Sequence, residues 1–114
     1  MDCDRLSVAL LLVRPDAPQL GEVEASELQD AQMSYLADLH QARYLLAAGP
    51  LTDDSFRGLT ILKGDTELAR PLMEKDPAVR AGRLKVTVMP WMVPRGAMEF
   101  STARFPRSMA EVDE

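Results

Sequence analysis

Ser7-Val8-Ala9-Leu10-Leu11-Leu12-Val13 is a continuous apolar run, and Arg14-Pro15-Asp16-Ala17-Pro18 ends it with two prolines. Its shortness and that ending favour a strand over a helix. In a strand, Val8, Leu10 and Leu12 share one face, while Ala9, Leu11 and Val13 share the other. Both sets are apolar. A sheet with one wet face alternates apolar and polar residues, so this strand requires cover on both sides.

Working outward, Gln19 to Ala25 reads as a loop, and Ser26 as the N-cap of a helix from about Glu27 to Ala42. Leu28, Tyr35, Leu36 and Leu39 follow the spacing of one buried helix face. Tyr44 to Ala48 reads as a second strand, stopped by Gly49-Pro50. Thr52-Asp53-Asp54-Ser55 is a polar turn, and Arg57 to Lys63 a third strand. Asp65 is placed to cap a helix from Thr66 to about Lys75, with Pro71 bending it or shifting its start. Asp76-Pro77 closes that helix, Ala78 to Arg83 connects, and Leu84 to Met89 is the fourth strand. The order β-α-β-β-α-β predicts an α+β fold of ferredoxin-like topology, an antiparallel sheet with both helices on one face.

The other face needs a second cover. In the last strand Leu84, Val86 and Val88 line one side. Lys85, Thr87, Met89 and Trp91 line the other, which turns apolar toward its end. A bare face of this kind exceeds the patch a monomer ordinarily exposes. Two sheets packed face to face as a homodimer would cover it, and so would the chain's own tail. Residues 1–93 are expected to form the domain, and residues 94–114 an extension packing on it or on the dimer partner.

At 114 residues the chain fits one domain. A formal net charge of −5 argues against a nucleic-acid surface or an anionic membrane as partner. A lone cysteine, Cys3, permits no internal disulfide and no Cys-based zinc site. No stretch approaches the length of a membrane span, and the start lacks a basic leader, so the cytoplasm is the expected location. Phosphate loops, dinucleotide fingerprints, metal-ligand spacings and nucleophile elbows are absent from the sequence.

The chemistry-bearing residues gather on the first helix. Gln32 falls on the same face as Leu28, Tyr35, Leu36 and Leu39, and Arg43 projects from the end of that face. A buried amide without partners costs about 1–3 kcal/mol, so Gln32 either bonds to backbone or, with Tyr35 and Arg43, faces a ligand cavity. Arg43 could instead reach solvent. His40, the only histidine, could serve as a general base or as a surface partner of the helix end. Asp76 is a turn residue or an acid, base or acceptor. Met73, Met89, Met92 and Met98 with Trp91 offer a soft apolar lining or ordinary core.

Three segments are similar to the YCII-related proteins: residues 39–51 (LHQARYLLAAGPL), 76–84 (DPAVRAGRL) and 88–91 (VMPW), within a resemblance spanning about Leu6 to Phe100. The resemblance implies a dimeric α/β barrel and a small-molecule enzyme without cofactor, centred on a first-helix histidine and the aspartate of the Asp-Pro turn. That aspartate matches Asp76. The histidine position falls at Gln32 and a family glycine at Arg43, so the chain departs from the pattern at both. Glutamine exchanges no proton near neutral pH, and His40 stands about two helix turns away. The resemblance implies cyclisation, isomerisation or elimination on an apolar or aromatic substrate held by Gln32, Tyr35, Arg43, Met89 and Trp91, with Asp76 and His40 as acid–base groups. The alternatives are a binding module without catalysis and a protein-interaction module.

Overall fold

The computed structural model describes residues 2–112. Its elements are β1 (Cys3–Val13), α1 (Glu22–Gln41), β2 (Leu45–Pro50), β3 (Phe56–Lys63), α2 (Thr66–Glu74), α3 (Pro77–Arg80), β4 (Leu84–Pro94) and α4 (Met109–Val112). The strands form one antiparallel sheet in the order β2-β3-β1-β4. The β1-α1-β2 passage spans β3, and the β3-α2-β4 passage spans β1. The architecture is α+β.

Several boundaries differ from expectation. Helix α1 begins at Glu22, after Gly21 and not Ser26, without a side-chain cap; Glu22 and Glu24 in its first turn complement the helix dipole instead. Strand β1 starts at Cys3 and β4 continues to Pro94, because Cys3–Arg5 pair with Met92–Pro94. Pro90 and Pro94 are tolerated because β4 lies at the sheet edge. The connection after Asp76 contains the single turn α3. Asp65 caps α2 as expected, accepting from the Leu68 N–H at 3.2 Å.

On the helix side of the sheet, Ala9, Leu11, Leu62 and Val88 pack with Ala69 and Met73 of α2 into the main core. Ser7 shares this side, fully buried, its hydroxyl donating to the Gly64 carbonyl at 2.9 Å. On the opposite side Leu6, Leu46, Ile61 and Val93 form a second cluster, roofed by Met98 and Phe100 of the segment after β4. That roof covers one end only. Val8, Leu10, Leu12 and Leu59 remain half-buried beyond it, and Met89 and Trp91 are exposed. In the antiparallel register Met89 stands opposite Val8 and Trp91 opposite Leu6, so all share this face.

The C-terminal segment runs back along α1. The Arg107 Nη1 lies 2.8 Å from Asp38 and 3.0 Å from the Ser34 hydroxyl, and Nη2 reaches Gln41 at 3.2 Å. The Met109 N–H donates to Asp30 at 3.0 Å, which sets α4 against the middle of α1. Among the described residues, no helix is long and apolar enough to cross a membrane.

Candidate functional site

Small residues line part of the sheet below α1. Gly58 lies opposite Leu11 and Ala48 opposite Thr60 on the helix side, leaving space that larger side chains would fill. A Cβ built on Gly58 would come within 3.2 Å of the Leu11 Cδ1. Above this floor the α1 face stays incompletely covered: Leu28, Gln32 and Leu36 are half-buried, whereas Ala37 and Leu39 are buried. The gap is a cavity of about 420 Å³, walled by Gln32, Met33 and Leu36 of α1 and closed on one side by Phe105, Pro106 and Met109. Its walls are mainly apolar, and its size falls in the range of small-molecule sites.

Gln32 brings the polar chemistry to that wall. Its Nε2 donates to both carboxylate oxygens of Asp76, at 3.1 and 3.3 Å. Asp76 is itself completely buried. It is the N-cap of α3, its Oδ1 accepting from the N–H groups of Ala78 at 2.8 Å and Val79 at 3.4 Å, with Pro77 supplying a first-turn residue that needs no partner. Burial pushes the Asp76 carboxyl above the usual carboxylate range, while the hydrogen bonds from Gln32, Ala78 and Val79 pull it back down. Tyr35 stands nearby, donating to the Leu72 carbonyl at 2.6 Å. Burial raises the Tyr35 hydroxyl, and the neighbouring Asp76 charge adds to that rise.

The remaining sequence-predicted residues go elsewhere. His40 stacks on Phe105, ring centroids 4.2 Å apart and planes within 13°, and its Nε2 is buried without a hydrogen-bond partner. Phe105 lines the cavity and His40 does not. Arg43 is not brought to Gln32. It follows the helix end with φ 66°, a left-handed conformation that costs a non-glycine residue about 1–2 kcal/mol. Its guanidinium lies 4.6 Å from the Phe100 ring centre. Met89 and Trp91 lie on the sheet face away from the helices, so they cannot line a cavity beneath α1. Thus Gln32, Tyr35 and Asp76 come together, and Arg43, Met89 and Trp91 stand apart from them.

Sequence reasoning missed Gly58, Thr60, Met33 and Phe105 as cavity residues. A glycine inside a strand, where close approach to another group is a standard reason for its presence, was the available signal. No cluster of three or more potential metal-ligating residues occurs among the described residues.

No protein-family model matches the chain, and no match was found among curated proteins. Among solved structures, the chain is similar to the 5-chloro-2-hydroxyhydroquinone dehydrochlorinase TftG from Burkholderia phenoliruptrix AC1100, in complex with 2,5-dihydroxybenzoquinone. The two share 23% identity at a TM-score of 0.55, over 75% of this chain and 92% of that one. The likeness is one of fold.

Proposed function

We propose that the chain is a YCII-related small-molecule enzyme or enzyme-like protein of ferredoxin-like topology. In this reading it acts in the cytoplasm as a homodimer, without cofactor, on a planar hydroxylated ring bound beneath α1. The observation that carries this reading is Gln32 on the wall of an apolar cavity, hydrogen-bonded to the buried Asp76 behind it. With its NH₂ group turned onto Asp76, Gln32 keeps its carbonyl Oε1 for another donor, and no protein donor meets that oxygen among the described residues. The buried negative charge polarises the amide and strengthens the carbonyl as an acceptor. A ligand hydroxyl is the fitting partner, with the ring against Met33, Leu36 and Phe105.

Asp76 is the carboxylate bonded to Gln32, the polar side chain this reading places against the ligand. Raised by burial, it is suited to take a proton from a ring hydroxyl once Gln32 has turned its amide aside. The chemistry supported is proton transfer leading to elimination, isomerisation or cyclisation. A dehydrochlorinase of similar fold adds support for elimination from a hydroxylated ring.

Incubating the protein with chlorinated and unchlorinated hydroxyhydroquinones and following ring absorbance tests this reading. Turnover is expected to fall at least a hundredfold in Asp76→Asn, the usual scale for an acid–base group. Turnover unchanged by that substitution would overturn the catalytic role. A second reading, ligand binding without catalysis, is favoured by the complete burial of Asp76 and its three hydrogen-bond donors. Saturable binding with no turnover in the parent protein would select it.

A further inference from the structure

A second cavity, of about 530 Å³, lies at the end of the sheet where β1 begins. The turn after α1, the β3–α2 turn and the segment after β4 border it. Four cations line it, Arg5, Arg43, Lys63 and Arg95, against two carboxylates, Asp4 and Glu99. Asp4 is already engaged, accepting from the Gly96 N–H at 3.0 Å. The lining therefore carries a net positive charge in a chain whose formal charge is −5. Arg95 has only a loose, exposed contact of 3.9 Å with Asp2. Among the described residues, no carboxylate lies within ion-pair distance of Arg5, Arg43 or Lys63.

These like charges are also drawn together. The Arg43 guanidinium and the Lys63 ammonium lie 4.6 and 5.7 Å from the centre of the same Phe100 ring, each in cation–π contact with it. Arg43 holds its place from a left-handed backbone conformation. That conformation closes the helix, the Tyr44 N–H donating to the Leu39 carbonyl and the Arg43 N–H to the His40 carbonyl, each at 3.0 Å.

We infer that this cavity binds a small oxyanion, a phosphate or carboxylate group of a small molecule, between Arg43 and Lys63. The planar guanidinium suits a two-oxygen contact, and the ammonium supplies a point charge beside it. The concave shape and the negative charge of the rest of the chain suit a small ligand better than an extended polyanion. This site is independent of the cavity beneath α1.

The test is a titration of the isotope-labelled protein with inorganic phosphate and, separately, acetate, ionic strength being held constant with chloride. Saturable amide shifts centred on Arg43, Gly64 and Gly96 are expected, and the tighter anion identifies the group recognised. Lys63→Gln and Arg43→Gly should each weaken binding at least tenfold, while Arg80→Gln, outside the cavity, should not. Non-saturating shifts scattered over surface cations, or affinity unchanged in Lys63→Gln, would overturn the assignment.

Discussion

Asp76→Ala is expected to lower the unfolding free energy by about 2–4 kcal/mol, the sum of a lost N-cap and an unpaired buried amide. The side chain serves two structures at once. It caps α3 through Ala78 and Val79, and it satisfies Gln32 on α1. Truncation removes both and leaves a void where Asp76 was completely buried. Asp76→Asn is expected to stay within about 0.5 kcal/mol of the parent, since asparagine caps as well as aspartate. The Gln32 amide then turns over to accept from the new NH₂ group. The pH dependence separates the charge from the shape. Because burial raises the folded pKa of Asp76, the native state keeps a proton that the unfolded chain releases above about pH 4. Stability therefore falls as pH rises from there through the raised pKa. Asp76→Asn lacks that titration, so its stability relative to the parent should rise across the same window. Thermal unfolding of both proteins between pH 4 and 8 checks this, and parallel curves would contradict it.

Met89→Lys is expected to turn the proposed homodimer into a monomer. Met89 is 39% exposed on the single chain, so a lysine there disturbs its fold little. Opposite Val8 on the uncovered sheet face, the same lysine would be an unpaired charge inside a sheet-to-sheet interface. The cost is about 3 kcal/mol or more, which weakens dimerisation about a hundredfold or more. Sedimentation of parent and variant across a dilution series measures it. A parent that remains monomeric at high concentration would mean that the roof formed by Met98 and Phe100 is cover enough.

The two sheet faces were legible because β1 is apolar on both sides, and prolines and glycines mark where its neighbours stop. Residues 3–5 were not, since polar residues join β1 there through ladder pairing and not through hydrophobicity. Helix α1 hid its start because Gly21 supplies no side-chain cap and Glu22–Ala25 has little apolar pattern. Gln32 and Asp76 stood out separately, as an amide on an apolar helix face and an acid at a sharp turn; only the family resemblance set the two positions at one site, and their hydrogen bond was not foreseen. Arg43 was misplaced because helical periodicity does not carry through a residue in the left-handed conformation: the backbone turns, and the side chain leaves the α1 face. His40 meets Phe105 only because the chain returns 65 residues later, and no local pattern records that return. The cavity floor was missed because Gly58 and Ala48 act through the volume they leave empty.

The central claim is that Gln32, braced by Asp76, presents an acceptor to a hydroxylated ring beneath α1. The most direct measurement is the nuclear magnetic resonance of the Gln32 side-chain amide during titration with 2,5-dihydroxybenzoquinone. The account predicts a saturable shift of that resonance together with the Gly58 and Phe105 backbone amides, abolished in Gln32→Leu. Saturable binding that leaves all three signals unmoved, or no binding at all, would contradict it.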